Sequence, residues 1–432
     1  MASLTFSLCL LLATALAVCA EQDRFDGFQL LFVYSRNVDD VHFLHQIGED
    51  YVDIDFWIEP THEHNATVMV PPTLLNLFKN KLDQQGISYV IAVNDVQKVV
   101  EAGSVRTSEE EVARKRELTG AKIDHYNYHT YNQIVNYLNE LKNTYPSLIQ
   151  LSNLNYITHE GRVVYLVKMT GSAGANKQAI IVETGIHARE WVTIATGLWV
   201  IEKLAMDYTA NDATARLMLD KYDWYFIPVA NPDGYEHTFN SNRMWRKNKR
   251  YISSRCTGVD LNRNFDAMWG TTGISTNCAS DIYPGTGPFS EPETANIRDL
   301  FDSLYPNIVA YLGVHAYSQF LLVPWGYTEY VSRPANAAEL DRVTLKMLQA
   351  LIARHGTQYL HGTAWQLLNY AASGSSKDWA LRRRTNLYAM AFELRPAANS
   401  ATGFLLPASQ IVPTSEEFYD CIRAMVPELR DI

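Results

Sequence analysis

The sequence predicts an α/β fold: a mixed β-sheet flanked by helices, preceded by a small α+β unit of ferredoxin-like order. Three observations carry this. Apolar strands such as Ala179–Thr184 (AIIVET) and Ile308–Val314 (IVAYLGV) alternate with helix-period segments, as in a sheet covered on both faces. Residues 28–93 read β-α-β-β-α-β, the order of a small open sandwich. A charged stretch, 94–122, has few aromatics and no core pattern, and it connects the two units.

In the first unit, Phe28–Tyr34 reads as a strand, Val38–Ile47 as a helix, and Tyr51–Ile58 as a half-buried strand of period 2. Thr67–Val70 is a short strand, Thr73–Gly86 a helix stopped by its glycine, and Ile87–Val93 the closing strand. Asn65-Ala66-Thr67 is an N-glycosylation sequon. In the second unit a helix pattern runs through Leu148, and a hairpin turns at Glu160-Gly161. Ala179–Thr184 is a buried strand followed by a helix from about Glu190 to Asp207. Trp224–Val229, Ile308–Val314 and Leu387–Leu394 are further strands. Ser290 with Glu293, and Thr414 with Glu417, read as capping boxes that open helices.

The chain has 432 residues, room for two to three domains. Its net charge of −10 argues against a nucleic-acid-binding surface, which needs a Lys/Arg excess. Leu4–Ala20 is apolar, short and ends in small residues, so residues 1–20 read as a secretory signal peptide and not a membrane span. No other run is long enough to anchor the chain in a membrane, and the expected product is soluble and secreted. Secretion permits disulfides. Cys256 and Cys278, 22 positions apart, either form one or are buried free thiols; the disulfide is the expectation, worth roughly 3 kcal/mol. Cys421, on a helical pattern, is expected to be a buried free thiol. Ala113-Arg114-Lys115-Arg116 is either a solvated helix face or a processing site for a trypsin-like protease.

His187 and Glu190 follow a buried strand at i, i+3 spacing, which places both on one side of a turn. Alone, this pair is weak. A second apolar strand delivers His315 at its carboxyl end, where open α/β sheets place ligands. Two imidazoles and a carboxylate suit a catalytic zinc, which takes three protein ligands. Glu393, a carboxylate inside the apolar run Leu387–Leu394, is costly to bury without a function and is a candidate general base.

At this point the chain resembles the secreted zinc metallocarboxypeptidases of the pancreatic A/B type, in zymogen form. The resemblance rests on His187-Ala188-Arg189-Glu190-Trp191, Asn231-Pro232-Asp233-Gly234-Tyr235, Asn242 to Lys247, Gly258 to Asn264, His315-Ala316-Tyr317-Ser318-Gln319, and Phe392-Glu393-Leu394-Arg395 with Gly403 to Gln410. It implies an activation propeptide over 21–116, made of the open sandwich plus connecting segment, and a catalytic domain over 117–432. It implies one Zn²⁺ per chain on His187, Glu190 and His315, with Glu393 as base and Arg246 facing the oxyanion. Asn262 and Arg263 match the pair that grips the substrate's terminal carboxylate, and Tyr370 the tyrosine that closes over it. Arg189 and Tyr317 match residues of the next subsite, and Asp260 a carboxylate orienting a zinc histidine. The implied partners are peptides with a free C-terminus, an activating trypsin-like protease and proteinaceous carboxypeptidase inhibitors. The implied setting is a secreted monomer of digestive type, in a compartment such as the gut lumen. Lys377 stands where the family's specificity residue lies. An apolar residue there resembles the A type and an acidic one the B type; lysine predicts a preference for C-terminal glutamate. The alternative is an A-type preference for apolar ends, with Lys377 turned aside or neutralised by Asp378. A catalytically inactive binding relative is a further alternative, which the intact ligand set and Glu393 disfavour.

Overall fold

The computed structural model describes residues 22–61, 65–103, 124–172, 177–328 and 333–430. The signal segment and Ala113–Lys122, with its basic cluster, lie outside the described residues. The N-terminal unit has strands β1 (Gln29–Tyr34), β2 (Asp55–Ile58), β3 (Ala66–Val70) and β4 (Ser88–Val93) in the antiparallel order β2-β3-β1-β4. Helices Val38–Asp50 and Leu75–Gln85 lay Leu44, Ile47, Phe78 and Leu82 on Leu31, Val33 and Val68. This is the predicted ferredoxin-like sandwich, with one shift. The second strand starts at Asp55 rather than Tyr51, because the Tyr51 N–H caps the preceding helix on Ile47 O. Helix Val96–Gly103 also corrects the expectation of a segment without core: Val96 is fully buried, and Val99 and Val100 pack beside it. Asn65 is exposed.

The second unit is built on eight strands: β5 (Ile149–Asn153), β6 (Tyr165–Met169), β7 (Gln178–Thr184), β8 (Tyr222–Ile227), β11 (Ile308–Ser318), β12 (Phe320–Leu322), β13 (Leu360–Gly362) and β14 (Tyr388–Ala397). Strands β9 (Tyr251–Ser253) and β10 (Cys256–Thr257) form a separate hairpin. The sheet order is β13-β12-β14-β11-β7-β8-β6-β5. Its centre, β14-β11-β7-β8, is parallel, while β12, β6 and β5 add antiparallel pairs. The apolar run of β7 follows from burial on both faces. Ile180 and Val182 join the core with helix Trp191–Thr209; Ala179 and Ile181 join the other, with Phe301 and Trp379. Each such side chain contributes roughly 1.5–3 kcal/mol of burial.

Two helix starts differ from expectation. Helix Pro292–Leu304 has no side-chain cap: Pro292 fills its first position, and Glu291 instead bonds Asn248, His159 and Arg250. The C-terminal helix, Ile411–Met425, begins before Thr414, whose hydroxyl donates to Gln410 O inside the first turn; Glu417 pairs with Arg395. Cys256 and Cys278 are bonded, with Cα atoms 5.4 Å apart, and Cys421 is a buried free thiol. No helix among the described residues is long and apolar enough to cross a membrane.

Candidate active site

The parallel strands β7, β11 and β14 end on one side of the sheet, and the predicted residues converge there. His187 lies in the loop after β7, and Glu190 is the N-cap of helix Trp191–Thr209. His315 is not at the end of its strand, as the sequence suggested. It lies inside β11, which runs on to Ser318. The pairing of β11 with β7 stops at Val314–Thr184, so His315 opens into the cleft beyond its neighbour's end. On the other side His315 pairs in register with Glu393 of β14.

His187 Nδ1 stands 2.7 Å from Glu190 Oε1, and His315 Nδ1 stands 3.2 Å from His187 Nδ1 and 3.4 Å from Glu190 Oε2. All three residues are buried, and the Ala316 N–H donates to Glu190 Oε2 at 3.2 Å. A tetrahedral ion with bonds of about 2.1 Å spaces its ligands at roughly 3.4 Å, so the donor set fits zinc. The tautomer fits too. His187 Nε2 lies 3.1 Å from Asp260 Oδ1 and donates to it, which leaves the Nδ1 lone pair facing the Glu190 oxygen, an arrangement a dication resolves.

Asp260 is fully buried, and also accepts from Asn262 N at 2.9 Å and Arg246 Nη2 at 3.0 Å. Burial would raise its pKa; Arg246, Arg263 and His187 overcome that and hold it well below the usual carboxylate range. Arg246 reaches on toward Glu190 at 3.8 Å. Glu393 has the opposite balance: burial pushes its carboxyl up to about 8, with His315 and Arg246 opposing.

Beyond the ligands, Asn262 Oδ1 accepts from Ser376 N, and Arg263 Nε donates to Gly273 O at 2.8 Å. Tyr370 OH donates to the same oxygen at 3.2 Å, which brings Tyr370 over Arg263. Lys377 opens helix Ser376–Arg383, is 5% exposed, and lines the same cleft as Glu393 and Arg263. Its Nζ donates to Asp378 Oδ1 at 2.8 Å, and Gly326 N–H donates to Asp378 Oδ2 at 2.8 Å. Gly326 has no room for a side chain, because a Cβ would lie 2.6 Å from Lys377 Nζ.

The cleft, about 1590 Å³, is lined from both units. Asp55 of β2 pairs with the buried Arg189 at 2.8 Å, and Asp281 adds a second carboxylate at 3.3 Å. Arg189 also stacks on Phe404, against which Trp57 and Tyr317 pack edge-on. Glu59 lines the cleft beside Arg263; burial pushes its pKa up to about 7, with Arg263 and Arg246 opposing. The sequence reading missed Asp55, Glu59 and Asp281. The signal was the two acids flanking Trp57 in an otherwise apolar strand, charges that a solvated edge would not need so close to a buried indole.

The comparisons agree with this geometry. Residues 134–420 match the zinc carboxypeptidase family, and residues 31–103 match the carboxypeptidase activation peptide. Rat carboxypeptidase A2 is 38% identical over 427 residues, covering 98% of this chain and 99% of that protein. The crystal structure of the carboxypeptidase A from Helicoverpa armigera superposes with a TM-score of 0.82 at 29% identity, over 94% of this chain and 98% of that one. Bovine thrombin-activatable fibrinolysis inhibitor, solved in complex with tick carboxypeptidase inhibitor, gives a TM-score of 0.64 at 33% identity, over 70% and 97%. The chain belongs to the zinc carboxypeptidase family. It is a metallocarboxypeptidase that uses zinc, with His187, Glu190 and His315 as its candidate ligands, and it carries its activation peptide as a zymogen does.

Proposed function

We propose that this zymogen is secreted and that its mature form removes the last residue of peptides, preferring a C-terminal glutamate. The observation that carries the preference is Lys377: a buried ammonium in the wall of the cleft that also holds Glu393 and Arg263. Asp378 accepts a hydrogen bond from one of its three N–H groups, and the others, with no further hydrogen bond among the described residues, are available to a substrate carboxylate.

His187, Glu190 and His315 would hold the zinc ion, which when bound would supply Lewis-acid polarisation of the scissile carbonyl. Glu393 takes the proton of the attacking water and returns it to the leaving amine. Its raised pKa, once a nearby dication draws it down, suits both halves of that transfer. Arg246, steadied by Asp260, faces the oxygen that gains charge, an interaction stronger in the transition state than before it. Asn262 and Arg263 grip the free carboxylate, Arg263 through a planar fork suited to it. Tyr370 closes over that end and excludes water. Arg189 and Tyr317 flank the next residue; in the zymogen Asp55 occupies Arg189 and blocks that subsite. The disulfide supports an oxidising, extracellular destination.

Peptides differing only in the last residue test the preference. A terminal glutamate gains a charge-assisted bond of about 1.5–3 kcal/mol, so kcat/KM for Glu should exceed that for Leu or Phe by roughly 10- to 100-fold. Arg should be the poorest end, because two cations would meet. Lys377→Ile should erase the Glu advantage. The Lys377–Asp378 ion pair favours a second reading, an A-type enzyme for apolar ends with its lysine already neutralised. Faster cleavage of Leu or Phe than of Glu would establish that reading.

We also infer that activation is trypsin-like cleavage after Arg116, within the basic segment Arg114-Lys115-Arg116. Amino-terminal sequencing of the trypsin-activated product should begin at Glu117. A start before residue 100 or after 130 would contradict it.

A further inference from the structure

We propose that Glu183 is the positioning residue for His315: its carboxylate accepts the Nε2–H of that imidazole through one ordered water, and so fixes the tautomer that presents Nδ1 to zinc. The inference rests on the zinc-site assignment above. It starts from strand register. In β11, Tyr311, Gly313 and His315 alternate onto one face, and β7 pairs Glu183 opposite Gly313, so the Glu183 side chain shares that face. Gly313 contributes no side chain, which leaves space between Tyr311 and His315. A Cβ there would lie 3.5 Å from His315 Nε2 and 3.5 Å from Ser376 Oγ, so both atoms border that space.

Glu183 is fully buried in a central strand, where a carboxylate needs donors. Tyr311 OH donates to its Oε2, and Ser376 Oγ borders the same space. Among the described residues Glu183 Oε1 has no hydrogen-bond partner, and neither does His315 Nε2. One is an acceptor in want of a donor. The other must carry a proton once Nδ1 is given to a metal, so it is a donor in want of an acceptor. His187 has its own carboxylate in Asp260, and Glu183 would give the second imidazole the same support from the opposite side of the centre.

The test is zinc affinity of the activated enzyme by competition with a chromogenic chelator, read beside thermal melting of the metal-free protein. Wild type should bind one zinc; failure to do so would overturn the site assignment itself. Glu183→Gln, which keeps the shape and removes the charge, should weaken zinc binding by roughly 10- to 100-fold. A residue with only a structural role would lower the melting temperature and leave the affinity of the folded fraction unchanged; that result would overturn the proposal. Should Glu183→Gln not fold, Tyr311→Phe decides: it frees the carboxylate to turn away, and should weaken zinc binding in the same direction by a smaller factor. Unchanged affinity in that variant would refute the role.

Discussion

Glu393→Gln is expected to retain zinc and fold while losing roughly 10²- to 10⁴-fold in kcat. The amide is nearly isosteric, and Glu393 is held by its strand in register with His315, so neither the ligand set nor the sheet should change. What is lost is the proton shuttle. KM should move little, because under the proposed assignment the grip on the substrate lies with Asn262, Arg263 and Tyr370. Steady-state kinetics with a zinc assay on the same sample would check this. A variant turning over near the wild-type rate would remove Glu393 from the chemistry.

The second large effect is expected at Asp260. One buried carboxylate accepts from His187 Nε2, Arg246 Nη2 and Asn262 N. Asp260→Asn removes the charge from all three at once. Breaking a buried pair costs about 3–5 kcal/mol, and losing the support of a ligand histidine costs about 10- to 100-fold in metal affinity. The variant should melt lower, bind zinc more weakly and lose kcat/KM even at saturating zinc, because Arg246 is no longer steadied. Full recovery of activity at high zinc would mean that Asp260 serves the metal alone and not Arg246.

The parts that strand burial dictates were legible in the sequence. A strand such as Ala179–Thr184, apolar at its first four positions, has both faces covered, and that alone predicts a parallel sheet between helices. The convergence of His187, Glu190 and His315 followed from the same rule, though His315 belongs to the strand and not to the loop after it. Its exposure to the cleft comes from the neighbour ending first, a property of pairing that one segment's pattern does not contain. Ser290 and Thr414 show how a local motif loses to tertiary demand. Pro292 needs no cap at its position, and the carboxylates of Glu291 and Glu417 find stronger partners in Arg250 and Arg395. Asp55 was harder to read for a different reason: the acid beside Trp57 marks a buried charge, but its partner, Arg189, lies more than a hundred residues away in the chain.

The bond between Cys256 and Cys278 closes a loop that contains Asp260, Asn262, Arg263 and Gly273, the support and members of the proposed carboxylate clamp. Under the proposed preference, the floor that judges the departing side chain is built elsewhere, from Gly326, Lys377 and Asp378. One covalently closed segment asks whether a chain has an end; a separate segment asks which end it is. The two segments are separate in the chain. Under that assignment a substitution at position 377 would change which peptide end is taken, and would leave untouched the disulfide-closed loop that recognises a terminus.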